Sequence, residues 1–469
     1  MAKSVEKEAG AGALARMSQV FTAWAEKWFP DAFIFVILGV IIVALANFAT
    51  GASPMAVAKG FGEGFWTLIP FTMQMAMVTI TGYIVATSKP CNRFINWLAS
   101  FPSTGPGAIM WVALVSMGAS YFQWALSLVL GGLLVRALAR RPELKMDYRA
   151  AGAAAYLGLG ATWALGLSSS AAMLQANPAS LPKAISDISG VIPLSETIFL
   201  WQSIVMGGGI VAISLIIAYF SAPTGLAVRT AQDMGCDVSE ESNVEEKPSR
   251  PGEWLEFTPI LPILITLLAA GYFFVEFYTK PVLSVISSLN NYNFLFLMLG
   301  LFLHGNIRSF LRALAKAVPN SAGVLIQFPF YGAIATMLTG VLGADGQSIS
   351  HHIAELFVSI ANVDTFPVVI GIYSAVLGFF VPSGGGKWII EAPYVFQAAV
   401  DLKAHMGWAV QVYNAAEALP NLINPFWMLP LLGVLGLKAK DIVGFCFTQL
   451  LFHFPVVLFL LWLLAPQVS

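Results

Sequence analysis

Four short runs of small and polar residues interrupt long apolar stretches of this chain, and their groups could hold a small ion. They read Gly118-Ala119-Ser120-Tyr121-Phe122-Gln123-Trp124, Gly166-Leu167-Ser168-Ser169-Ser170, Pro382-Ser383-Gly384-Gly385-Gly386-Lys387-Trp388 and Leu419-Pro420-Asn421-Leu422-Ile423-Asn424-Pro425. A helix broken at such a run frees amide N–H groups that attract anions. It also frees carbonyls that, with hydroxyls and amide oxygens, attract cations. In hydrocarbon each unpaired amide is costly, so such breaks are tolerated where a ligand, an ion or a water cavity satisfies them. The four runs therefore predict one binding site. Its substrate contacts would be Ser120, Gln123, Ser168, Ser169, Ser383, Gly384, Gly385, Gly386, Lys387, Asn421 and Asn424, with Ser170, Glu391 and Glu417 as candidate ion-coupling groups.

The runs differ in how strongly they point to function. Three consecutive glycines are hard to justify inside a helix, and a lysine at membrane depth costs about 2.5–3.5 kcal/mol on insertion scales. The Pro382–Lys387 run is therefore expected to be a functional turn. Ser168 to Ser170 equally fit packing at helix contacts, and Pro420 and Pro425 equally fit plain kinks. Glu391 and Glu417 could pair with Lys387 or relay a proton. One lysine plus the amides of Gly384 to Gly386 matches one carboxylate, which predicts a monocarboxylate whose apolar tail lies against Phe122, Trp124 or Trp388.

The elements that must position these groups are membrane helices. Of 469 residues, 58% are hydrophobic and 10% charged, against about 25% charged in soluble domains. Apolar segments recur near 31–49, 66–87, 107–139, 150–175, 196–220, 256–279, 292–305, 320–341, 364–400, 408–435 and 441–464, most of them with the roughly 20 residues that a helix needs to cross a bilayer. Segments 107–139 and 364–400 are too long for one crossing and have polar centres, so each reads as a re-entrant hairpin. The expected fold is an all-α polytopic membrane protein. It has two inverted-topology repeats, each with a re-entrant helical hairpin and a broken transmembrane helix.

The repeats span 31–220 and 292–464, preceded by an amphipathic segment at 1–30 and joined by a cytoplasmic linker at 221–255 and an extra connecting helix at 256–279. That extra crossing inverts the second half. With the N-terminus inside, Arg136, Arg140, Arg141, Lys145 and Arg149 are cytoplasmic, as are Arg308, Arg312 and Lys316. Lys59, Lys183, Lys280 and Lys403 face outward, which agrees with the positive-inside rule for a bacterial cytoplasmic membrane. The linker reads as a solvated tether and the N-terminal segment as retained.

Other classes find little support. Near-neutral net charge offers nothing to nucleic acid, and Cys91, Cys236 and Cys446 are scattered without disulfide or metal spacing. There is no His-Glu-x-x-His motif and no serine–histidine pair in neighbouring elements, so an enzyme is not expected. Nor is a cofactor. A passive anion channel and a dicarboxylate carrier stand as the alternatives to a monocarboxylate carrier.

Through the Pro382-Ser383-Gly384-Gly385-Gly386 run with Trp388, the Gly118-Ala119-Ser120 turn and its length, the whole chain resembles the AtoE-like short-chain fatty acid transporter family. The resemblance implies cation-coupled uptake of acetoacetate, butyrate or similar acids, with Na+ or H+ as the coupling ion. It also implies an elevator motion of a transport domain against a homodimeric scaffold in the lipid bilayer. The family pattern commonly has Gln in place of Lys387 and Gln-Gly-Pro in place of Glu391-Ala392-Pro393. That departure bears on the substrate rather than on the class.

Overall fold

The computed structural model describes residues 32–239, 248–381 and 383–466. The expected amphipathic segment at 1–30 lies outside them. The described residues are helical apart from connecting loops and one isolated bridge, Leu342 with Ser348. Seven helices among them are long and apolar enough to cross a membrane.

In chain order the first half runs α1 (Ala32–Ala49), α2 (Pro54–Gly64), α3 (Ile69–Ala86), α4 (Lys89–Leu98), α5 (Gly105–Phe122), α6 (Trp124–Ala139), α7 (Tyr148–Leu157), α8 (Ser170–Gln175), α9 (Lys183–Ser189) and α10 (Trp201–Phe220). Two connecting pieces follow, α11 (Trp254–Phe257) and α12 (Ile260–Thr279), and then α13 (Val282–Ser287). The second half runs α14 (Leu289–His304), α15 (Ile307–Ala317), α16 (Ala322–Gly340), α17 (Ile349–Ile360), α18 (Phe366–Phe380), α19 (Gly384–Asp401), α20 (Met406–Asn421), α21 (Pro425–Leu435) and α22 (Ala439–Leu463).

The order long helix, short helix, long helix, short helix, hairpin, broken helix, long helix occurs twice. Packing follows it in a crossed fashion: α16 lies on α1 and α2, while α3 lies on their second-half counterparts α14 and α15. Each hairpin's second arm is followed by a lysine in the left-handed region, Lys145 at φ 46° and Lys403 at φ 57°. In both cases the cap of the next helix comes two residues later, Asp147 for α7 and His405 for α20.

Helix starts are set locally. Ser53, Ser88, Thr104 and Asp147 each turn a side-chain oxygen onto a free N–H of the helix that follows, which contributes about 1 kcal/mol per cap. The short helices α4 and α15 place charge on one face and apolar groups on the other: Lys89 and Arg93 in α4, and Arg308, Arg312 and Lys316 in α15. This pattern suits the membrane surface. By contrast α12 is apolar all round and mostly exposed, so its natural neighbour is lipid.

The linker differs from a free tether over its first part. Arg229 O accepts from Tyr148 N and its own N–H donates to Asp147, while Ala231 is buried. Farther on, Arg136 donates to Ser239 O, and Cys236 Sγ stands 3.4 Å from Gly436 O. Residues 229–239 are thus docked on the ends of α6, α7 and α21, and Arg229's amide is one of the donors that satisfy the buried Asp147.

Candidate functional site

The first break is narrower than its sequence suggests. Gly118, Ala119 and Ser120 lie within α5, which continues to Phe122, and only Gln123 leaves helical geometry, at φ −161° and ψ 115°. This one extended residue turns the hairpin because its side chain replaces the missing helical bonds. Its amide oxygen accepts from Leu126 N, and its Nε2 donates to Val78 O on α3. Phe122, expected against a substrate tail, is 63% exposed.

Beyond α7 the chain loosens into a π turn at 158–162 and a 3-10 turn at 163–165, then runs extended at Gly166. Here Gly166 meets the first break: a Cβ on it would lie 2.6 Å from Tyr121 Cα. Leu167 N donates to Tyr121 O over 2.7 Å, Ser168 Oγ donates to Ser120 O, and Ser120 Oγ lies 2.7 Å from Thr162 Oγ1. Ser169 caps α8 through Ala172 N and donates to Asn414 Oδ1 on α20.

The second hairpin overturns the expectation for its glycines. Pro382 lies outside the described residues, Ser383 caps α19 through Gly386 N, and Gly384, Gly385 and Gly386 form the first turn of α19. Glycine is required there by aromatic neighbours rather than by a turn. A Cβ on Gly384 would lie 1.9 Å from the Trp163 ring, one on Gly385 2.9 Å from Phe71, and one on Gly386 2.1 Å from Tyr331. The three residues open a slot through which α19 meets the second run: the Cβ position of Gly385 is 3.2 Å from Ser170 Cβ.

The fourth run breaks after Asn421, the last residue of α20, before Pro425 begins α21. Tyr156 OH donates to Asn421 O at 2.7 Å and to Asn424 O at 3.5 Å. Trp427 packs on Trp124 with ring centroids 5.7 Å apart, so this run adjoins the first break as well. All four runs therefore belong to one connected region. Of the predicted contacts only Asn424 is half-buried; the others are closed to the surface.

Lys387 lies between two carboxylates. Its Nζ lies 3.0 Å from Glu391 Oε1 and 2.7 Å from Glu417 Oε2, with all three side chains fully buried. The same Nζ donates to Ser374 O and Ser374 Oγ at 2.7 and 2.8 Å, and sits 4.5 Å from the centre of the Tyr413 ring. The pairing of Lys387 with Glu391 and Glu417 that the sequence allowed is present, so a substrate carboxylate at Lys387 would share its ammonium with both. Glu391 at i+4 of Lys387 follows from helix geometry, whereas Glu417 arrives from α20 through tertiary packing.

The sequence alone does not single out several residues of this region. Trp163, Tyr156, Tyr331, Tyr413, Ser374 and Asn414 bridge the runs, yet in sequence each is an ordinary aromatic or lone polar residue in an apolar stretch. Only Trp163, in Gly160-Ala161-Thr162-Trp163, carries a hint, since small residues precede it. Unpartnered buried atoms cluster with them: Trp163 Nε1, Trp388 Nε1, Gln411 Nε2 and Asn421 Oδ1 find no hydrogen bond.

Broken helices joined at a buried polar cluster, within a chain of membrane-spanning helices, define a polytopic membrane protein of the transporter class. This chain belongs to the short chain fatty acid transporter family, whose model matches residues 13–464. It is 33% identical over 443 residues to a protein of Escherichia coli K12 named as a short-chain fatty acid transporter, covering 94% of this chain and 97% of the relative. A Haemophilus influenzae protein of the same name is 32% identical over 458 residues, covering 96% and 100%.

Two solved structures share the fold. The Alcanivorax borkumensis YdaH transporter matches with a TM-score of 0.53 at 14% identity, covering 93% of this chain and all of that one. The Neisseria gonorrhoeae MtrF protein, described within a class of antimetabolite efflux pumps, matches with a TM-score of 0.59 at 13% identity, covering 96% and 97%.

Proposed function

We propose that the protein is a cation-coupled secondary transporter of short-chain monocarboxylates such as acetoacetate or butyrate, resident in the bacterial cytoplasmic membrane. The observation that carries this reading is the junction of four broken segments in one buried polar region. The site's positive field comes from the starts of α6 and α19, capped by Gln123 and Ser383, rather than from Lys387. Apart from Lys387 the four runs contain no Lys or Arg. Two free carboxylates would therefore lack a compensating charge, which favours one.

Closure of the site implies movement. Ser120, Gln123 and Ser169 are wholly buried, so a substrate reaches them when the hairpins shift against the rest of the chain. We assign this shift to alternating access of the elevator type, with the inverted repeats as its two halves and a homodimer as its frame. The test is counterflow of labelled acetoacetate by the purified full chain in liposomes, with protein-free liposomes correcting for leak of the neutral acid. Saturable counterflow that butyrate competes and succinate does not is the expected result. Equal competition by succinate would indicate a dicarboxylate carrier. Protein-dependent flux without counterflow would indicate a channel.

A further inference from the structure

The cluster formed by Lys387, Glu391 and Glu417 has a charge that does not close. One ammonium and two carboxylates are wholly buried together. The ammonium hydrogen-bonds Ser374 and contacts one oxygen of each carboxylate, Glu391 Oε1 and Glu417 Oε2, while the second oxygens, Glu391 Oε2 and Glu417 Oε1, have no hydrogen-bond partner. The other titratable groups that act on these carboxylates are tyrosines: Tyr331 on α16, Tyr373 on α18, Tyr394 on α19 and Tyr413 on α20. None of them brings positive charge. A buried net negative charge with unsatisfied acceptors calls for one more positive partner.

We propose that the Lys387–Glu391–Glu417 cluster is the protein's coupling site, and that the ion it carries is one proton rather than sodium. This rests on the transporter reading above. The position that a sodium ion would take between the carboxylates is held by the Lys387 ammonium, so a second cation would be repelled at close range. A proton needs no such space. It forms an O–H bond on one carboxylate oxygen, the cluster passes from net −1 to neutral, and the same bond breaks when the proton leaves to water on the other side.

The cluster is wired to the substrate region. Lys387 follows Gly384 by one helical turn, and Tyr413, over whose ring its ammonium sits, donates its hydroxyl to Gly384 O. Glu417 shares α20 with Asn421, and its Oε2 and Pro420 both press on the position of Gly378 in α18. An anion arriving at the start of α19 adds negative charge one turn from Lys387 and two turns from Glu391. Proton and anion therefore favour each other's binding, and by reciprocity each raises the other's affinity equally.

The test is equilibrium binding of labelled acetoacetate to the purified full chain, across a pH range in which the substrate stays ionised, in sodium and in choline buffers. Wild-type affinity is expected to rise about tenfold per unit fall in pH while the site is unprotonated, as one linked proton requires, and to be the same in both buffers. Glu417→Gln, which mimics the protonated side chain, is expected to bind with an affinity that no longer follows pH. Wild-type binding that needs sodium or ignores pH overturns the proposal, with no variant required. A Glu417→Gln protein whose binding keeps the wild-type pH dependence overturns it too. Counterflow in the wild type with pH-independent binding leaves the transporter reading standing while removing this one.

Discussion

The two hairpins have the same place in their halves but opposite chemistry. The first, α5–α6, turns on Gln123 and is surrounded by Ser116, Ser120, Ser127 and Thr162, all buried and all neutral. The second, α18–α19, turns before Ser383 and holds a fully buried ammonium one turn farther on and a fully buried carboxylate two turns on, with a second carboxylate delivered by α20. One architecture is thus used twice, once with groups that cannot titrate at ordinary pH and once with groups that can. The repeat supplies geometry, and single side chains set the role of each hairpin. On the reading proposed above, the neutral donors and acceptors of the first hairpin orient the ligand, and the charge cluster of the second takes up the coupling ion.

The contrast breaks most visibly at Lys387. Lys387→Met leaves two buried carboxylates without their cation and should destabilise the protein by about 3–5 kcal/mol, read as loss of thermal stability in detergent. Adding Glu391→Gln and Glu417→Gln to it should restore stability, because a neutral buried cluster needs no cation. A Lys387→Met protein as stable as wild type would show that the carboxylates already carry their own protons.

A smaller effect is expected at the slot between the halves. Gly384→Ala places a methyl group against the Trp163 ring, and overpacking of this kind costs about 1–3 kcal/mol. Because Trp163 adjoins the second run, whose Ser168 donates to its carbonyl, acetoacetate counterflow should fall together with stability. Counterflow at the wild-type rate would separate this contact from the transport path.

Caps come next, at about 1 kcal/mol each. Ser383→Ala removes the bond to Gly386 N and Gln123→Ala the bonds to Leu126 N and Val78 O. Both should lower counterflow in a folded protein, and neither should remove the pH dependence of binding, since neither touches the charge cluster. The orientation of the halves can be checked without energetic cost: Lys145→Cys should react with an impermeant thiol reagent only from the cytoplasmic side, and Lys403→Cys only from outside. Labelling of both from one side would end the inverted assignment.

Much of the fold is legible from residue order. The helical class, the hairpin positions and the breaks near Gly166 and Asn421 follow from apolar length and from glycine, proline and serine at depth, because a bilayer permits few exceptions to helical bonding. The glycine run misleads as to conformation: three glycines look like a turn, yet here they begin a helix because Trp163, Phe71 and Tyr331 occupy the space their side chains would need. No local pattern announces residues that distant.

Hydrocarbon and helix periodicity enforce what can be read without coordinates: the number and length of apolar segments, the polar interruptions within them, and the spacing that places Lys387 and Glu391 on one helical face. What those residues meet was settled by packing. Glu417 lies far from Lys387 in sequence, and its arrival at 2.7 Å changes a lone cation fit for a substrate carboxylate into a cluster with negative charge to spare. Charge balance in a buried site is a sum over every element that reaches it, and that sum exists only once the chain has packed.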